Sequence, residues 1–206
     1  MKKKLFIFDL DGVLIDSKEN MKLSWNSLNK RFKLNIKFKR YLYYIGLPFE
    51  KILKNLGIKK HFEIYKNHYS KISKKNLKKI KLYPGVIKTL RFLQSKKIKI
   101  AIVTSKDKIR TNRIIKQNFK NIKFDLISYP VKKFRSKPSP DLILNTMSYL
   151  NVDPSESLYC GDMIYDLETA KRAKITFVLA KYGFVKPKIK SKFYINKFSQ
   201  IIKYTK

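Results

Sequence analysis

The chain has 206 residues, of which 44% are hydrophobic and 14% aromatic, a composition typical of a globular protein and not of a disordered chain. Its formal net charge of +35 suggests a polyanion partner, but the lysines are spread along the whole chain without an arginine-rich stripe. We therefore interpret the charge as lysine filling solvated positions, and we expect no specific nucleic-acid partner. Cys160 is the single cysteine, which excludes a disulfide within the chain.

The basic start, Lys2 to Lys4, is followed by apolar residues and mimics a signal peptide. Asp9 ends that apolar stretch far too early for a leader, and no run elsewhere approaches the roughly 20 apolar residues of a membrane span. These features predict a cytoplasmic protein with no membrane partner, and we expect a monomer or a weak homodimer.

The first apolar run, Leu5 to Phe8, ends in two carboxylates, Asp9 and Asp11, followed by Gly12. Such a run predicts a strand buried on both faces, with the carboxylates at the end where parallel sheets bind ligands. Residues two apart on a strand point the same way, so both carboxylates can face one small volume. Two carboxylates that close are costly unless a cation or a shared proton relieves them. The pattern indicates a divalent metal site with a nucleophilic carboxylate, although an Asp pair that merely starts a turn would look similar.

Apolar residues recur at helical spacing between residues 16 and 81, which predicts an inserted helical cap. They are Met21, Trp25, Leu28 and Phe32, then Phe49, Ile52, Leu53 and Leu56, then Phe62, Tyr65, Tyr69 and Ile72. Asp16 and Ser17 are a plausible start for the first of these helices, and Ile45 to Pro48 predicts a loop.

After Leu82 the pattern changes to strands alternating with helices. The predicted strands are Ile98 to Val103, Phe124 to Ser128, Ser157 to Cys160 and Thr176 to Ala180, with a terminal helix around Phe198, Ile201 and Ile202 after a lysine-rich tail. This alternation predicts an α/β fold with a Rossmann-like parallel sheet. We expect a core of residues 1–15 and 82–206 and an α-helical cap of residues 16–81.

Three more places carry polar residues where chemistry is possible. The strand before Thr104 and Ser105 ends in hydroxyls that can donate to a phosphate oxygen, although the pair could also lead into a helix near Asp107. Lys137 precedes Pro138, which keeps it out of a helix, but in so basic a chain a lone lysine is by default a surface cation. Asp162 and Asp166 follow another predicted strand and can supply hard oxygen ligands, although Asp166 also suits a simple helix start.

These residues form four motifs in order, and together they resemble the haloacid dehalogenase-like hydrolases. The motifs are Phe8-Asp9-Leu10-Asp11-Gly12, the strand ending in Thr104, Lys137-Pro138-Ser139-Pro140, and Gly161-Asp162-Met163-Ile164-Tyr165-Asp166. Leu82-Tyr83-Pro84-Gly85-Val86 is similar to the family's return from cap to core. Within the family, the chain most resembles the capped phosphoglycolate phosphatase-like and β-phosphoglucomutase-like branch.

The resemblance implies a Mg²⁺-dependent phosphatase that hydrolyses a small phosphorylated metabolite through an aspartyl-phosphate. It implies that Asp9 is the nucleophile and Asp11 the acid and base. It further implies a metal site from Asp9, Asp11 through its backbone carbonyl, Asp162 and Asp166. Phosphate would be bound by Thr104, Ser105 and Lys137.

Three alternatives stay open. A phosphosugar mutase shares the core motifs, but the mutases carry a histidine four residues before the tryptophan matched by Trp25, and here that residue is Met21. A haloacid dehalogenase proper would not need Asp11 or the metal carboxylates. A non-catalytic polyanion-binding protein would use the charge alone, and its binding would collapse with salt.

Overall fold

A computed structural model describes residues 2–184 and 189–205 of the chain. The strands are β1 (Leu5–Phe8), β2 (Ile15–Asp16), β3 (Lys81–Leu82), β4 (Lys99–Val103), β5 (Leu126–Ser128), β6 (Ser157–Gly161), β7 (Thr176–Ala180) and β8 (Tyr194–Ile195). Six of them form one sheet in the order β5-β4-β1-β6-β7-β8, and each neighbouring pair is parallel. The predicted α/β fold with a Rossmann-like parallel sheet is confirmed.

The helices are α1 (Lys18–Phe32), α2 (Phe38–Tyr43), α3 (Phe49–Asn55), α4 (Phe62–Lys75), α5 (Val86–Ser95), α6 (Lys108–Asn118), α7 (Asp141–Tyr149) and α8 (Ile164–Arg172). Three 3₁₀ helices span Leu77–Lys79, Pro154–Glu156 and Phe198–Thr205. None of the helices within residues 2–184 and 189–205 has the length and apolar character needed to cross a bilayer.

Strand β1 is buried on both faces, as its uniformly apolar sequence predicts. Phe6 and Phe8 pack on one side of the sheet with residues of α5, α6 and the last 3₁₀ helix, whereas Leu5 and Ile7 pack on the other side with residues of α7 and α8. This central position in two apolar layers gives the end of β1, where the acidic motif begins, a rigid support.

Helices α1 to α4 lie between β2 and β3, which pair antiparallel with Ile15 opposite Leu82. The helices and the loops between them have their own apolar cluster, in which Met21 and Trp25 are buried. Two buried residues from outside residues 16–81, Met163 and Phe184, also belong to it. We propose on this basis that residues 16–81 form the cap and that residues 1–15 with 82–206 form the core.

Two of the differences from the predicted elements have local reasons. Strand β5 begins at Leu126, two residues late, because the Asp125 carboxylate accepts a hydrogen bond from the Ile100 amide at 2.8 Å in place of a ladder bond. The terminal helix is 3₁₀, which suits Phe198 and Ile201 because side chains three apart share a face; Ile202 is 41% exposed. The first residues of the predicted lysine-rich tail, 185–188, lie outside the described residues.

Candidate active site

The sheet order brings the predicted motifs to one edge. Strand β1 lies between β4 and β6, so the residues that follow these three strands meet at their carboxyl ends. The Asp9 amide donates to the Cys160 carbonyl at 2.9 Å, and this bond extends the ladder by one residue and holds Asp9 beside the β6 terminus. Asp9, Asp11, Thr104 and Ser105 line one cavity, whose wall on the cap side includes Gly46.

Buried charge is concentrated at this edge. Among the described residues, the buried acidic side chains are Asp9, Asp11, Asp162 and Asp166. The chain has 49 lysines and arginines. Among those that the structure describes, two lysines are buried, Lys106 and Lys137. Charged side chains are rarely buried unless they are paired or bind a ligand, so this cluster is the strongest candidate for a functional site.

Lys137 is 1% exposed and is not a surface cation. Its ammonium donates to Asp9 Oδ1 and to Asp166 Oδ1, each at 2.8 Å. Burial alone would lower the pKa of Lys137, but the Asp166 and Asp9 carboxylates outweigh it and raise that pKa, so the side chain is a cation. Burial also raises the pKa of Asp9, to about 7, against the opposing effect of Lys137.

Asp9 has one oxygen available for chemistry. Lys137 occupies Oδ1, and no hydrogen bond from the described residues reaches Oδ2. A carboxylate fixed at one oxygen and open at the other has the geometry of an oriented nucleophile.

Asp162 presents a buried oxygen without a donor. Its Oδ2 accepts from the Phe184 amide at 2.9 Å, whereas its Oδ1 has no hydrogen-bond partner among the described residues. Burial and the neighbouring Asp166 and Asp9 carboxylates raise the pKa of Asp162 well above its ordinary value. A bound cation would relieve both penalties.

Glycines leave room for this carboxylate. Gly12 has φ +85°, and a Cβ there would overlap the Asp162 side chain; a Cβ on Gly183 would do the same. Gly12 thus serves twice, since it permits the turn after Asp11 and lets the backbone approach Asp162 closely.

Oxygens of Asp9, Asp162 and Asp166 lie within 4.8 Å of one another, a spacing that a divalent cation could bridge. Asp166, however, already has partners at both oxygens: Lys137 and the Tyr159 hydroxyl donate to Oδ1, and the Asp162 and Met163 amides donate to Oδ2. Asp166 therefore holds its neighbours in position, and it could also contribute to the binding of an ion. Hard oxygen donors and an orphaned buried oxygen together fit Mg²⁺.

Asp11 is held by two side chains that the sequence analysis did not assign to the site. The Ser17 hydroxyl donates to Oδ1, so Ser17 serves Asp11 and does not cap α1 through its side chain. Lys106 forms an ion pair with Oδ2 at 3.1 Å, and burial lowers the pKa of Lys106 although Asp11 opposes that shift. The available signal for Lys106 was its place two residues after Thr104, just beyond the end of β4.

The two predicted hydroxyls differ in their availability. Thr104 is buried, and its oxygen accepts from the Lys106 amide at 3.1 Å, which leaves its proton free to donate. Ser105 instead donates to the Gly46 carbonyl at 2.6 Å and so ties the predicted Ile45 to Pro48 loop to the core. The cap thus closes directly over the cavity.

The fold and the site define a haloacid dehalogenase-like hydrolase, and comparison with known proteins agrees. The family model described as "Haloacid dehalogenase-like hydrolase" matches residues 6–180, and the chain belongs to this family. The relatives that it matches include a phosphoglycolate phosphatase and a pyrophosphatase, and the chain is a phosphatase-type enzyme of that family. The predicted family and enzyme class are confirmed.

The phosphoglycolate phosphatase of Aquifex aeolicus is 32% identical over 188 residues, which cover 89% of this chain and 87% of that protein. The pyrophosphatase PpaX of Bacillus velezensis is 27% identical over 168 residues, which cover 81% of this chain and 78% of its own. A haloacid dehalogenase-like family hydrolase from Streptococcus pneumoniae has a similar structure, with a TM-score of 0.86, 20% identity and 99% coverage of both chains. This last likeness bears on the fold alone.

Proposed function

We propose that this protein is a Mg²⁺-dependent phosphatase that hydrolyses a small phosphorylated metabolite through an aspartyl-phosphate on Asp9. The observation that carries the proposal is the contrast between two buried carboxylates. Lys137 fixes one oxygen of Asp9 and leaves the other open for attack, while Asp162 keeps a buried oxygen with no protein donor. The first suits a nucleophile and the second suits a cation ligand.

Asp9, Asp162 and the Asp11 backbone carbonyl would hold Mg²⁺, with Asp166 supporting the site. When bound, the ion would neutralise charge on the transferring phosphoryl group and help to align it. The fit rests on the hard oxygen donors, on their mutual spacing and on the orphaned Asp162 oxygen.

The chain's own residues account for the proton and phosphoryl steps. Asp9 Oδ2 attacks phosphorus, and the bond from phosphorus to the leaving oxygen breaks as Asp11 gives that oxygen a proton. The Thr104 hydroxyl and the Lys137 ammonium bind the phosphoryl oxygens and offset the repulsion between two anions. Asp11 then takes a proton from the attacking water, and inorganic phosphate leaves as the Asp9 carboxylate is restored.

The residue at position 21 favours a hydrolase over a phosphosugar mutase. Met21 is 5% exposed in the same apolar cluster as Trp25, so the place where the mutases carry a histidine has no proton donor or acceptor here. Met21 therefore cannot make closure of the cap depend on recognition of the correct sugar phosphate, as a histidine at this position could. Incubation with a β-hexose 1-phosphate and catalytic hexose 1,6-bisphosphate should release phosphate without fast formation of the 6-phosphate; rapid conversion would favour the mutase.

The Asp9→Asn variant tests the covalent mechanism. It should lose at least about 10³-fold in kcat while keeping its melting temperature, because it deletes the nucleophile and relieves repulsion among the carboxylates. Phosphate release from 2-phosphoglycolate and from other small phosphomonoesters is the measurement, and beryllium fluoride should inhibit the unaltered enzyme but not bind the variant. Appreciable turnover by Asp9→Asn would contradict the mechanism.

A further inference from the structure

Arg110 lies in the cavity with part of its guanidinium unused. The side chain is 11% exposed, and its Nε donates to Asp107 Oδ2 at 2.5 Å. Neither terminal nitrogen has an acceptor within residues 2–184 and 189–205, although both belong to a planar fork that donates well to oxygen pairs. Arg110 lies in the first turn of α6, so this helix contributes unpaired donors to the lining of the cavity.

Tyr69 supplies a second unused donor to the same cavity. The Tyr41 hydroxyl donates to the Tyr69 oxygen at 3.0 Å, so the Tyr69 proton is left without an acceptor among the described residues. Tyr69 is 2% exposed, and burial raises its pKa to about 12, which keeps the hydroxyl protonated and able to donate. A buried donor without an acceptor is costly, so this hydroxyl needs a partner.

The two side chains lie close to each other although they come from different parts of the chain. The Arg110 guanidinium carbon lies 5.5 Å from the centroid of the Tyr69 ring. Tyr69 belongs to α4 and Arg110 to α6, so they meet where the cap faces the core, in the cavity that Asp9 and Asp11 also line. The part of a substrate that lies beyond a phosphorus held at Asp9 would share one cavity with these donors.

We propose that Arg110 and Tyr69 bind an anionic oxygen group, a carboxylate or a second phosphate, on the leaving-group side of the substrate. The inference rests on the proposed phosphatase function and assigns specificity to residues outside its catalytic set. Asp107 pairs with the Nε side of the guanidinium, so what remains unsatisfied is the pair of terminal nitrogens. A neutral hydroxyl group would give these donors ordinary hydrogen bonds, whereas an anionic pair of oxygens accepts charge-assisted bonds that match the planar fork.

Three substrates of similar length separate the possibilities. They are 2-phosphoglycolate, with a carboxylate; inorganic pyrophosphate, with a second phosphate; and 2-hydroxyethyl phosphate, with a neutral hydroxyl. We expect kcat/KM for at least one of the two anionic substrates to exceed that for 2-hydroxyethyl phosphate by about 10- to 100-fold, the effect of a charge-assisted hydrogen bond. The better anionic substrate identifies whether the site takes a carboxylate or a phosphate.

Matched variants assign the preference to the two residues. Arg110→Gln should reduce the ratio of kcat/KM between the preferred anion and 2-hydroxyethyl phosphate by about 10- to 100-fold, whereas Arg113→Gln, on the exposed side of α6, should leave it unchanged. Tyr69→Phe should reduce the ratio about 3- to 10-fold, with Tyr65→Phe, one turn earlier on α4, as its control. Arg110→Lys keeps the charge without the fork and serves if the glutamine variant does not fold.

The possible failures are distinguishable. Absence of hydrolysis of every phosphomonoester tried, with intact folding, would overturn the proposed phosphatase function. Hydrolysis of 2-hydroxyethyl phosphate as fast as both anionic substrates, or an unchanged ratio in Arg110→Gln and Tyr69→Phe, would overturn the specificity inference and leave the phosphatase function standing.

Discussion

The Lys137→Met substitution should destabilise the protein by about 4 kcal/mol at pH 7. Methionine keeps the apolar stem and removes the cation that lies 2.8 Å from both Asp9 and Asp166. Removing one partner of a buried ion pair costs about 3–5 kcal/mol. A second route agrees: the acidic cluster left without its cation can take up one further proton, at about 1.4 kcal/mol for each of the roughly three pH units between the ordinary carboxyl pKa and pH 7.

Urea unfolding without added Mg²⁺ measures this loss. With a slope of about 2 kcal/mol/M, the midpoint should fall by about 2 M. Lys132→Met, at an exposed position of the same loop, is the control and should change stability by less than about 0.5 kcal/mol.

The pH dependence separates lost charge from lost packing. Without the Lys137 cation the folded acidic cluster must take up one more proton than it does in the wild type, and that uptake costs more as pH rises above the ordinary carboxyl pKa. The loss should therefore shrink to about 1.5 kcal/mol at pH 5, where proton uptake costs less. A loss that is the same at pH 5 and pH 7, or no larger than that of Lys132→Met, would refute the argument that Lys137 neutralises a buried acidic cluster.

Excess chelator should abolish turnover, and Asp162→Ala should raise the Mg²⁺ concentration needed for half-maximal rate at least about 10-fold; full activity in chelator would contradict the metal site. Lys137→Ala should lower kcat by about 10³-fold and Lys132→Ala by less than about 2-fold, and equal effects in steady-state assays would mean that Lys137 has no special role. Gly12→Ala should lower the free energy of unfolding by about 3 kcal/mol, measured by thermal unfolding. Gly57→Ala should lower it by about 1 kcal/mol, because Gly57 has a similar positive φ but open space around it.

The sequence by itself determined the fold and the order of the motifs. Strand β1 is wholly apolar and β4 is apolar after Lys99, and each is short and followed by a polar residue, so their burial follows from the local pattern. The four motifs lie at strand ends, and the geometry of a parallel sheet requires that such ends meet at one edge. Asp9, Thr104 and Asp162 could thus be placed together before any coordinates were known, although their chemical roles stay proposals.

Only the tertiary structure decided which other side chains reach that edge. Lys106 and Ser17 hold Asp11, and Arg110 and Tyr69 leave donors open in the cavity, yet no local pattern identifies the partners of these four side chains. The physical reason is that their positions depend on how α1, α4 and α6 pack across the junction of cap and core. Periodicity identifies the buried face of each helix, but the partner of a polar side chain at that junction is set by long-range packing, which no local spacing encodes.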